Sequence, residues 1–216
     1  MKISFLFILS LIGYCDSYNL AIVGASGGLG RELVYQSITN YNNVNVIGFT
    51  SKPYELYEPY RGDGYEETKE MPVFDSRKLK LQHYWKEIYD NNYDGIIFCT
   101  SGGPFENDYS DKLMNKFLQS MPATCKDIVL VSCYSVDKNI NKYNAAYQIM
   151  GNIYLKDVYR AKLEQENIIK KEKNVRKKIY RPPALSYGPT FFLSQTRQEL
   201  AEEILEGLLF NSTFTS

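Results

Sequence analysis

The sequence predicts an α/β fold in which helices cover both faces of a doubly wound parallel sheet. From residue 18 onward, short β-branched runs alternate with helical stretches, the pattern of such a sheet. A glycine-rich segment joins the first predicted strand to the first predicted helix. The 216 residues suffice for one domain with a full core and fall short of two comfortable ones. We therefore expect a single domain over residues 18–216, behind a separate N-terminal segment.

Composition and charge are those of an ordinary globular protein. Hydrophobic residues make up 44% of the chain and charged residues 23%, so a packed core is expected. The 25 basic residues balance the 25 acidic ones, so charge indicates neither nucleic acid nor an anionic membrane surface. The partner classes that we expect are a small-molecule substrate or another protein.

The first 17 residues differ from the remainder of the chain. Lys2 precedes an apolar run at residues 3–12, which is shorter than the about 20 residues of a membrane-spanning helix. The basic start, this run and small residues at Gly13, Cys15 and Ser17 fit a secretory signal peptide cut near Ser17. A buried strand or an uncleaved anchor is the alternative. The signal predicts the secretory pathway and no stable membrane span after cleavage, with a plastid or cytoplasmic location as alternatives.

Cysteine and histidine usage argues against a metal centre. Cleavage would leave Cys99, Cys125 and Cys133, an odd number at spacings that form no disulfide framework. His83 is the only histidine, and it lies in a stretch that we expect to be a polar surface helix. No metal ligands are therefore predicted.

The alternation can be written as six strands and five helices. The glycine segment leads into a helix that ends near residue 39, and residues 52–70 are expected to form a loop. Further helices are expected at residues 79–89, 111–120, 154–171 and 197–209. Strands are expected at residues 19–23, 44–49, 71–74, 95–99, 128–131 and 178–180. Only residues 187–196 separate the last strand and its Arg-Pro turn from the closing helix.

The strongest functional signal is a G-x-x-G-x-x-G run between the first strand and the first helix. Glycines let the backbone turn tightly and approach a pyrophosphate, and the N–H groups at the helix start bind its negative charge. The run therefore indicates a Rossmann-type dinucleotide site, with a glycine turn that holds no ligand as the alternative. Its residues are Gly24, Ala25, Ser26, Gly27, Gly28, Leu29 and Gly30.

The end of the second strand indicates which dinucleotide is preferred. An NAD-selective site usually has an acidic residue about 20 positions past the glycines. This chain has Thr50, Ser51 and Lys52 there, and Arg31 in the first helix adds a further cation. Hydroxyls and an ammonium group favour a 2′-phosphate, so NADP(H) is predicted in preference to NAD(H). The alternative is that Lys52 is an ordinary solvated loop residue.

These residues, in their order, resemble those of a known family. The chain is similar over residues 19–209 to the atypical short-chain dehydrogenase/reductases of the NAD(P)H-binding, NmrA-like type. A narrower resemblance, through residues 149–150 and 181–185, is to plastid members of that group. The helix at residues 159–166 matches the family's helix in which a glutamate follows a lysine by four residues. The resemblance rests on the glycine run, Asp75, Asp94, Lys162, Glu166, Arg181 and Pro182.

The resemblance implies roles for residues beyond the glycine run. Asp75 and Ser76 would flank the adenine, and Lys162 would reach the nicotinamide ribose. The remaining cofactor-binding positions would be Thr100, Ser101, Gly102, Pro182 and Ala184.

Compared with the family that it resembles, this chain has a reduced C-terminal substrate portion, because residues 187–196 leave little room for it. The family's catalytic set is also incomplete in this chain. Catalytic members have a tyrosine four residues before the lysine, and Val158 occupies that position. The family's serine corresponds to Ser132 or Ser135, so Lys162 and Ser132 are the candidate catalytic residues. Two functions remain open. One is an NADP(H)-dependent oxidoreductase acting on a small organic carbonyl or alkene, and the other is a non-catalytic dinucleotide-binding redox sensor or assembly factor.

Overall fold

The structure, a computed structural model, describes residues 17–51, 56, 57, 59, 76–84, 92–101, 109–133, 136, 155–186 and 194–210. Several predictions fall on other residues and lie outside this part of the chain. They are the signal peptide up to residue 16, the loop at 52–70 except for residues 56, 57 and 59, the strand at 71–74, Lys52, Asp75, Gly102, Ser135 and the resemblance at 149–150.

The elements follow one another in the alternation that the sequence predicts. The four helices in the described part of the chain are α1 (Gly28–Asn40), α2 (Ser110–Gln119), α3 (Lys156–Lys171) and α4 (Arg197–Leu209). The strands are β1 (Tyr18–Val23), β2 (Val44–Thr50), β3 (Leu79–His83), β4 (Gly95–Phe98), β5 (Asp127–Val131), β6 (Arg176–Tyr180), β7 (Ala184–Ser186) and β8 (Ser194–Thr196).

Six of these strands form one sheet in the order β3-β2-β1-β4-β5-β6. Every neighbouring pair is parallel, so all six carboxyl ends lie at the same edge. The strand order reverses between β1 and β4. In open α/β sheets such a reversal opens a crevice beyond the strand ends, where ligands bind.

Helices cover both faces of the sheet, which confirms the predicted doubly wound architecture. In β1, Leu20 and Ile22 face one core and Ala21 and Val23 face the other, because successive side chains of a strand point to opposite faces. The first core is completed by α1 and α4, and the second by α2 and α3. The interiors of the central strands β1, β4 and β5 are apolar on both faces, as is typical of a parallel sheet.

The prediction of a helix at residues 79–89 is wrong over its first part. Residues Leu79–His83 form β3, which pairs with β2 from Val46 to Thr50 at the edge of the sheet. The sequence alternates here, since Leu79 and Leu81 are separated by the exposed Lys80, and a period of two favours a strand over a helix. His83 therefore ends a strand and does not lie on a surface helix.

A second, two-stranded parallel sheet of β7 and β8 follows β6, and no sequence pattern predicted it. It leads directly into α4, whose predicted bounds are confirmed. Thr196 and Glu199 form a capping box, in which the Glu199 N–H donates to Thr196 Oγ1 (3.1 Å) and the Thr196 N–H donates to Glu199 Oε2 (3.0 Å). This pairing satisfies donors that have no partner within the helix. None of the described helices is both long and apolar enough to cross a membrane.

Phe117 is a test of the second core. Its buried ring meets the rings of Phe49 and Phe98 edge-on, at centroid distances of 4.8 and 5.9 Å. We expect Phe117→Ala to lower the free energy of unfolding by about 3–5 kcal/mol, because it leaves a cavity between two sheet residues. Phe210→Ala is the control, since Phe210 is 71% exposed and its loss should cost less than about 1 kcal/mol. Equal costs in urea denaturation would contradict this packing.

Candidate functional site

The glycine run forms the corner between β1 and α1, at the crevice. Gly24 has a φ of 101°, a conformation that side chains other than glycine rarely adopt. A Cβ there would lie 3.1 Å from both the Cys99 carbonyl carbon and Thr100 Cγ2. The N–H groups of Gly24 and Ala25 both donate to the Phe49 carbonyl, at 2.9 and 3.1 Å. The corner therefore packs between the ends of β2 and β4.

The first turn of α1 lies directly on this corner. A Cβ on Gly30 would come within 2.7 Å of the Gly24 carbonyl carbon and 2.8 Å of Ala25 Cα, so only glycine fits. Gly27 differs, because among the described residues its Cβ would come close only to the Gly24 oxygen, at 3.3 Å. The Gly27 N–H donates to that same oxygen (3.0 Å). Packing therefore requires glycine at Gly30, whereas at Gly27 a Cβ needs only a small shift of one oxygen, and the rest of the space beside it is open among the described residues.

The start of α1 is suited to an anion. Its N-cap is Gly27, no side chain caps it, and its first turn contains no acidic residue. The first N–H groups of an α-helix, here those of Gly28, Leu29 and Gly30, have no carbonyl partner within the helix. The Leu29 side chain is buried in the core, so only its backbone can serve the site. Backbone amides and the positive end of the helix dipole together attract a phosphate group.

The end of β2 is tied to the glycine run by a hydroxyl pair. Thr50 is fully buried, and its Oγ1 donates to Ser26 Oγ at 2.6 Å. Ser51, the next residue, is exposed. Of the residues predicted to favour a 2′-phosphate, Thr50 thus orients Ser26 within the corner, and Ser51 lies beyond it at the surface.

Ser76 is not brought to this edge of the sheet. The strand expected at residues 71–74 would put Ser76 at its carboxyl end, whereas Ser76 precedes β3 and its carbonyl accepts a hydrogen bond from the Leu79 N–H (3.1 Å). It lies at the opposite, amino-terminal edge, so its position does not support the expected contact with adenine. Tyr84 follows β3 instead, and its N–H donates to the Thr50 carbonyl (3.2 Å). Burial raises the pKa of Tyr84 to about 12, so its hydroxyl is neutral at physiological pH.

Lys162 joins the ends of β4 and β5. It projects from α3, is only 4% exposed, and its Nζ donates to the carbonyls of Thr100 (2.6 Å) and Val131 (2.9 Å). Thr100 Oγ1 is buried and has no hydrogen-bond partner among the described residues, whereas the following Ser101 is exposed. The lysine thus lies beside the ends of β4 and β5, where it binds backbone groups.

Glu166 lies one turn further along α3 and joins β5 to β6. Its Oε1 accepts hydrogen bonds from Ser132 Oγ (2.7 Å) and Arg181 Nε (2.8 Å), and its Oε2 accepts from Arg181 Nη2 (2.6 Å) and Lys170 Nζ (3.2 Å). Burial alone would raise the pKa of Glu166, but hydrogen bonds from Arg181, Ser132 and Lys170 lower it below its usual value. The carboxylate is therefore charged at neutral pH, and the Ser132 hydroxyl hydrogen is directed at it.

The groups near Lys162 do not assemble the family's catalytic set within the described residues. Val158 is buried on the same face of α3, at the position of the catalytic tyrosine. Cys99 follows β4, and its Sγ donates to the Val23 carbonyl at 3.2 Å. Burial raises the pKa of this thiol to about 12, although the Lys162 ammonium acts to lower it. The thiol is therefore neutral and contributes no nucleophile.

Two further residues expected at the cofactor follow Arg181 in the chain. Pro182 is buried, and Ala184 lies at the start of β7.

No protein-family model and no curated protein sequence match the chain. Several solved structures do match it. One is a Rossmann-fold NAD(P)-binding family protein from Shigella flexneri, with 14% identity, 92% of this chain and 90% of that chain covered, and a TM-score of 0.58. The chain has the Rossmann fold.

Two further solved structures extend this likeness. An anaerobillin reductase from Escherichia coli O157:H7 shows 13% identity, with 89% of this chain and 91% of that chain covered and a TM-score of 0.56. A UDP-N-acetylglucosamine 4-epimerase from Bacillus cereus shows 18% identity, with 89% of this chain and 73% of that chain covered and a TM-score of 0.57. At such identities the Rossmann fold is what these proteins share with this chain.

Gly30→Ala tests the contact between α1 and the corner. The added Cβ would meet backbone atoms of Gly24 and Ala25, so α1 must shift, and we expect the free energy of unfolding to fall by about 1–3 kcal/mol. Gly27→Ala is the matched control, with an expected loss below about 1 kcal/mol. Thermal or urea unfolding measures both. A Gly30→Ala protein as stable as its control would show that the corner is not closely packed.

Glu166→Gln tests the buried carboxylate through its pH dependence. Because the folded protein lowers the pKa of Glu166, its contribution is fully present above the unfolded pKa of about 4.3 and disappears as pH falls through the folded value. We expect the variant to be less stable than the wild type by about 2–3 kcal/mol at pH 7, since Arg181 is half-buried. The difference should shrink below pH 4.

The matched control for this test is Glu164→Gln on the exposed face of the same helix. Its free energy of unfolding should change by less than about 0.5 kcal/mol at any pH. A stability difference between wild type and Glu166→Gln that stays constant from neutral to acidic pH would rule out the proposed protonation.

Proposed function

We propose that the chain binds a nicotinamide dinucleotide, NADP(H) in preference to NAD(H), and transfers hydride between it and a small organic carbonyl or alkene. The observation that carries the proposal is the position of the glycine corner. It lies where the strand order reverses, between β1 and β4, and it is followed by a helix start without a side-chain cap. This is where Rossmann folds bind the pyrophosphate of a dinucleotide.

The residues at the corner fit a pyrophosphate. The open space beside Gly27 gives a phosphate access to the backbone, and the absence of an acidic side chain in the first turn of α1 removes a source of repulsion. Gly28, Leu29 and Gly30 offer N–H groups at this end of the helix. Both charge and shape therefore favour an anionic diphosphate here.

The preference for NADP(H) rests on the end of β2. No acidic side chain occurs among residues 44–51, so nothing there would repel a 2′-phosphate or accept hydrogen bonds from both ribose hydroxyls. Thr50 holds Ser26 in place, and Ser51 and Lys52 follow as a hydroxyl and a cation. A phosphate monoester would be stabilised by both of these groups.

The bound dinucleotide would supply the hydride, and the substrate would also exchange a proton. The chain's own polar groups set limits on that proton. Ser132 directs its hydrogen at Glu166, so it cannot at the same time donate to a substrate carbonyl. Val158 has no proton to give. A proton donor for the proposed reaction must therefore be solvent or a group other than these two.

The hydrogen bonds that occupy Ser132 and Lys162 favour a second candidate function. In it, the chain is a non-catalytic dinucleotide-binding protein that acts as a redox sensor or assembly factor. Such a protein needs the glycine corner but no proton donor, and both the Ser132 hydroxyl and the Lys162 ammonium are engaged within the fold. The two candidates share the binding site and differ in turnover.

Isothermal titration tests the shared binding site. We expect the wild type to bind NADPH at least about tenfold more tightly than NADH, a difference of about 1.4 kcal/mol. Gly27→Ala should keep the fold but weaken NADPH binding by about tenfold or more, because its methyl group enters the space that a phosphate would use. The control is Glu164→Gln, at an exposed position on α3. Absence of binding to either coenzyme would overturn the proposal.

Turnover distinguishes the two candidates once binding is established. NADPH oxidation is followed at its absorbance band with a panel of aldehydes, ketones and conjugated alkenes. Oxidation that depends on one of these acceptors supports the oxidoreductase, and binding without oxidation supports the sensor or assembly factor.

A further inference from the structure

Two side chains of α3 hold the carboxyl ends of three strands together. Lys162 bridges β4 and β5, and Glu166, one turn later, bridges β5 and β6. Lys162 is 4% exposed and Glu166 1% exposed. A buried charge is costly unless it is hydrogen-bonded, so the carbonyl and hydroxyl groups that they bind are held in defined positions.

Thr100 is the residue through which Lys162 reaches the crevice. Its carbonyl accepts the Lys162 hydrogen bond (2.6 Å). Its Cγ2 lies 3.1 Å from the position that a Gly24 Cβ would occupy, so the side chain packs against the corner. Its Oγ1 is buried without a partner among the described residues, although buried polar atoms nearly always have one. A hydroxyl in this state, beside the proposed pyrophosphate site, is suited to receive a ligand.

We propose that Lys162 is a positioning residue: it holds the Thr100 peptide so that the Thr100 hydroxyl binds the nicotinamide half of the dinucleotide. This inference rests on the proposed function. It replaces the contact with the nicotinamide ribose that the resemblance implies, because both described hydrogen bonds of Lys162 go to backbone carbonyls. The lysine then acts on the ligand through Thr100.

Glu166 supports the same arrangement from the other side. Ser132 directly follows Val131, whose carbonyl is the second acceptor for Lys162. By holding Ser132 and Arg181, Glu166 keeps the ends of β5 and β6 in register, and the Ser132 N–H donates to the Tyr180 carbonyl (2.8 Å). The Val131 carbonyl is thereby fixed, and with it the direction in which Lys162 approaches Thr100.

The test compares a whole dinucleotide with a fragment that lacks the nicotinamide half. NADPH and adenosine 2′,5′-bisphosphate are titrated into the wild type, Lys162→Met and the matched control Lys171→Met, whose lysine is exposed on the same helix. We expect Lys162→Met to lose about tenfold or more in NADPH affinity, as for a lost hydrogen bond to a buried group. Its affinity for the bisphosphate should stay within about twofold. Lys171→Met should match the wild type for both ligands.

A double-mutant cycle separates action through Thr100 from direct contact. Thr100→Val removes the hydroxyl at nearly constant volume, and we expect it to lower NADPH affinity by about tenfold. If Lys162 acts through Thr100, the double variant loses no more than about the larger single loss, because the two residues form one unit. If Lys162 touches the ligand itself, the losses multiply, and the inference is overturned.

The remaining outcomes distinguish failure of this inference from failure of the proposed function. Equal losses of NADPH and bisphosphate affinity in Lys162→Met would mean a purely structural role and overturn the inference while the proposed function stands. Failure of the wild type to bind either ligand overturns the proposed function, and the inference with it. If circular dichroism shows Lys162→Met to be unfolded, Lys162→Gln replaces it in both titrations and in the cycle, with the same expectations, because its polar side chain is one atom too short to reach both carbonyls.

Discussion

The contact between the first turn of α1 and the end of β1 is the constraint on which the site depends. Gly30 lies so close to Gly24 and Ala25 that a single methyl group would force the helix away. Gly24 in turn lies against Cys99 and Thr100 at the end of β4. Because β1 is central in the sheet, between β2 and β4, this packing fixes the start of α1 over the point where the strand order reverses. The backbone amides of the helix start reach the crevice for that reason.

On the other side of the crevice, buried charged side chains hold the strand ends in place, as close glycine packing does at the corner. Lys162 and Glu166 are four residues apart, which places them on one face of α3, and each joins two strand ends. Their burial requires these hydrogen bonds, since an ammonium or a carboxylate without partners would destabilise the fold by several kcal/mol. The polar groups that a short-chain reductase would present to a substrate are thus used within this fold. Binding of a dinucleotide needs none of them to be released, whereas ordinary carbonyl reduction needs a proton donor.

Local patterns predicted the fold where they were strong, and they were insufficient where a contact depends on distant residues. Four of the six sheet strands were expected because each contains an apolar or β-branched run, β6 from its short Lys178–Tyr180 segment, and α4 because its face is amphipathic. β3 was missed because five alternating residues compete with a longer polar stretch that resembles a helix. The expected position of Ser76 rested on a strand at residues 71–74, which lies outside the described residues. β7 and β8 span three residues each, too few for a periodic signal. The glycine corner was predicted, but the pairs Thr50–Ser26 and Lys162–Thr100 join residues 24 and 62 positions apart, and no local pattern reveals such contacts.

The way the two halves of the crevice are built explains how a chain can share the Rossmann fold at 13–18% identity with three solved structures. An anion site made of backbone N–H groups requires a particular residue only where a Cβ would overlap the backbone, as at Gly30, so most of its sequence is free to change. Chemistry on a substrate depends on side chains, and these lie on α3 and beyond the ends of β4, β5 and β6. Val158 lies on α3, so a change at its position would leave the glycine corner untouched and alter the other half of the crevice. Binding at the corner would therefore say little about which reaction follows, and activity must be established from the α3 side of the crevice.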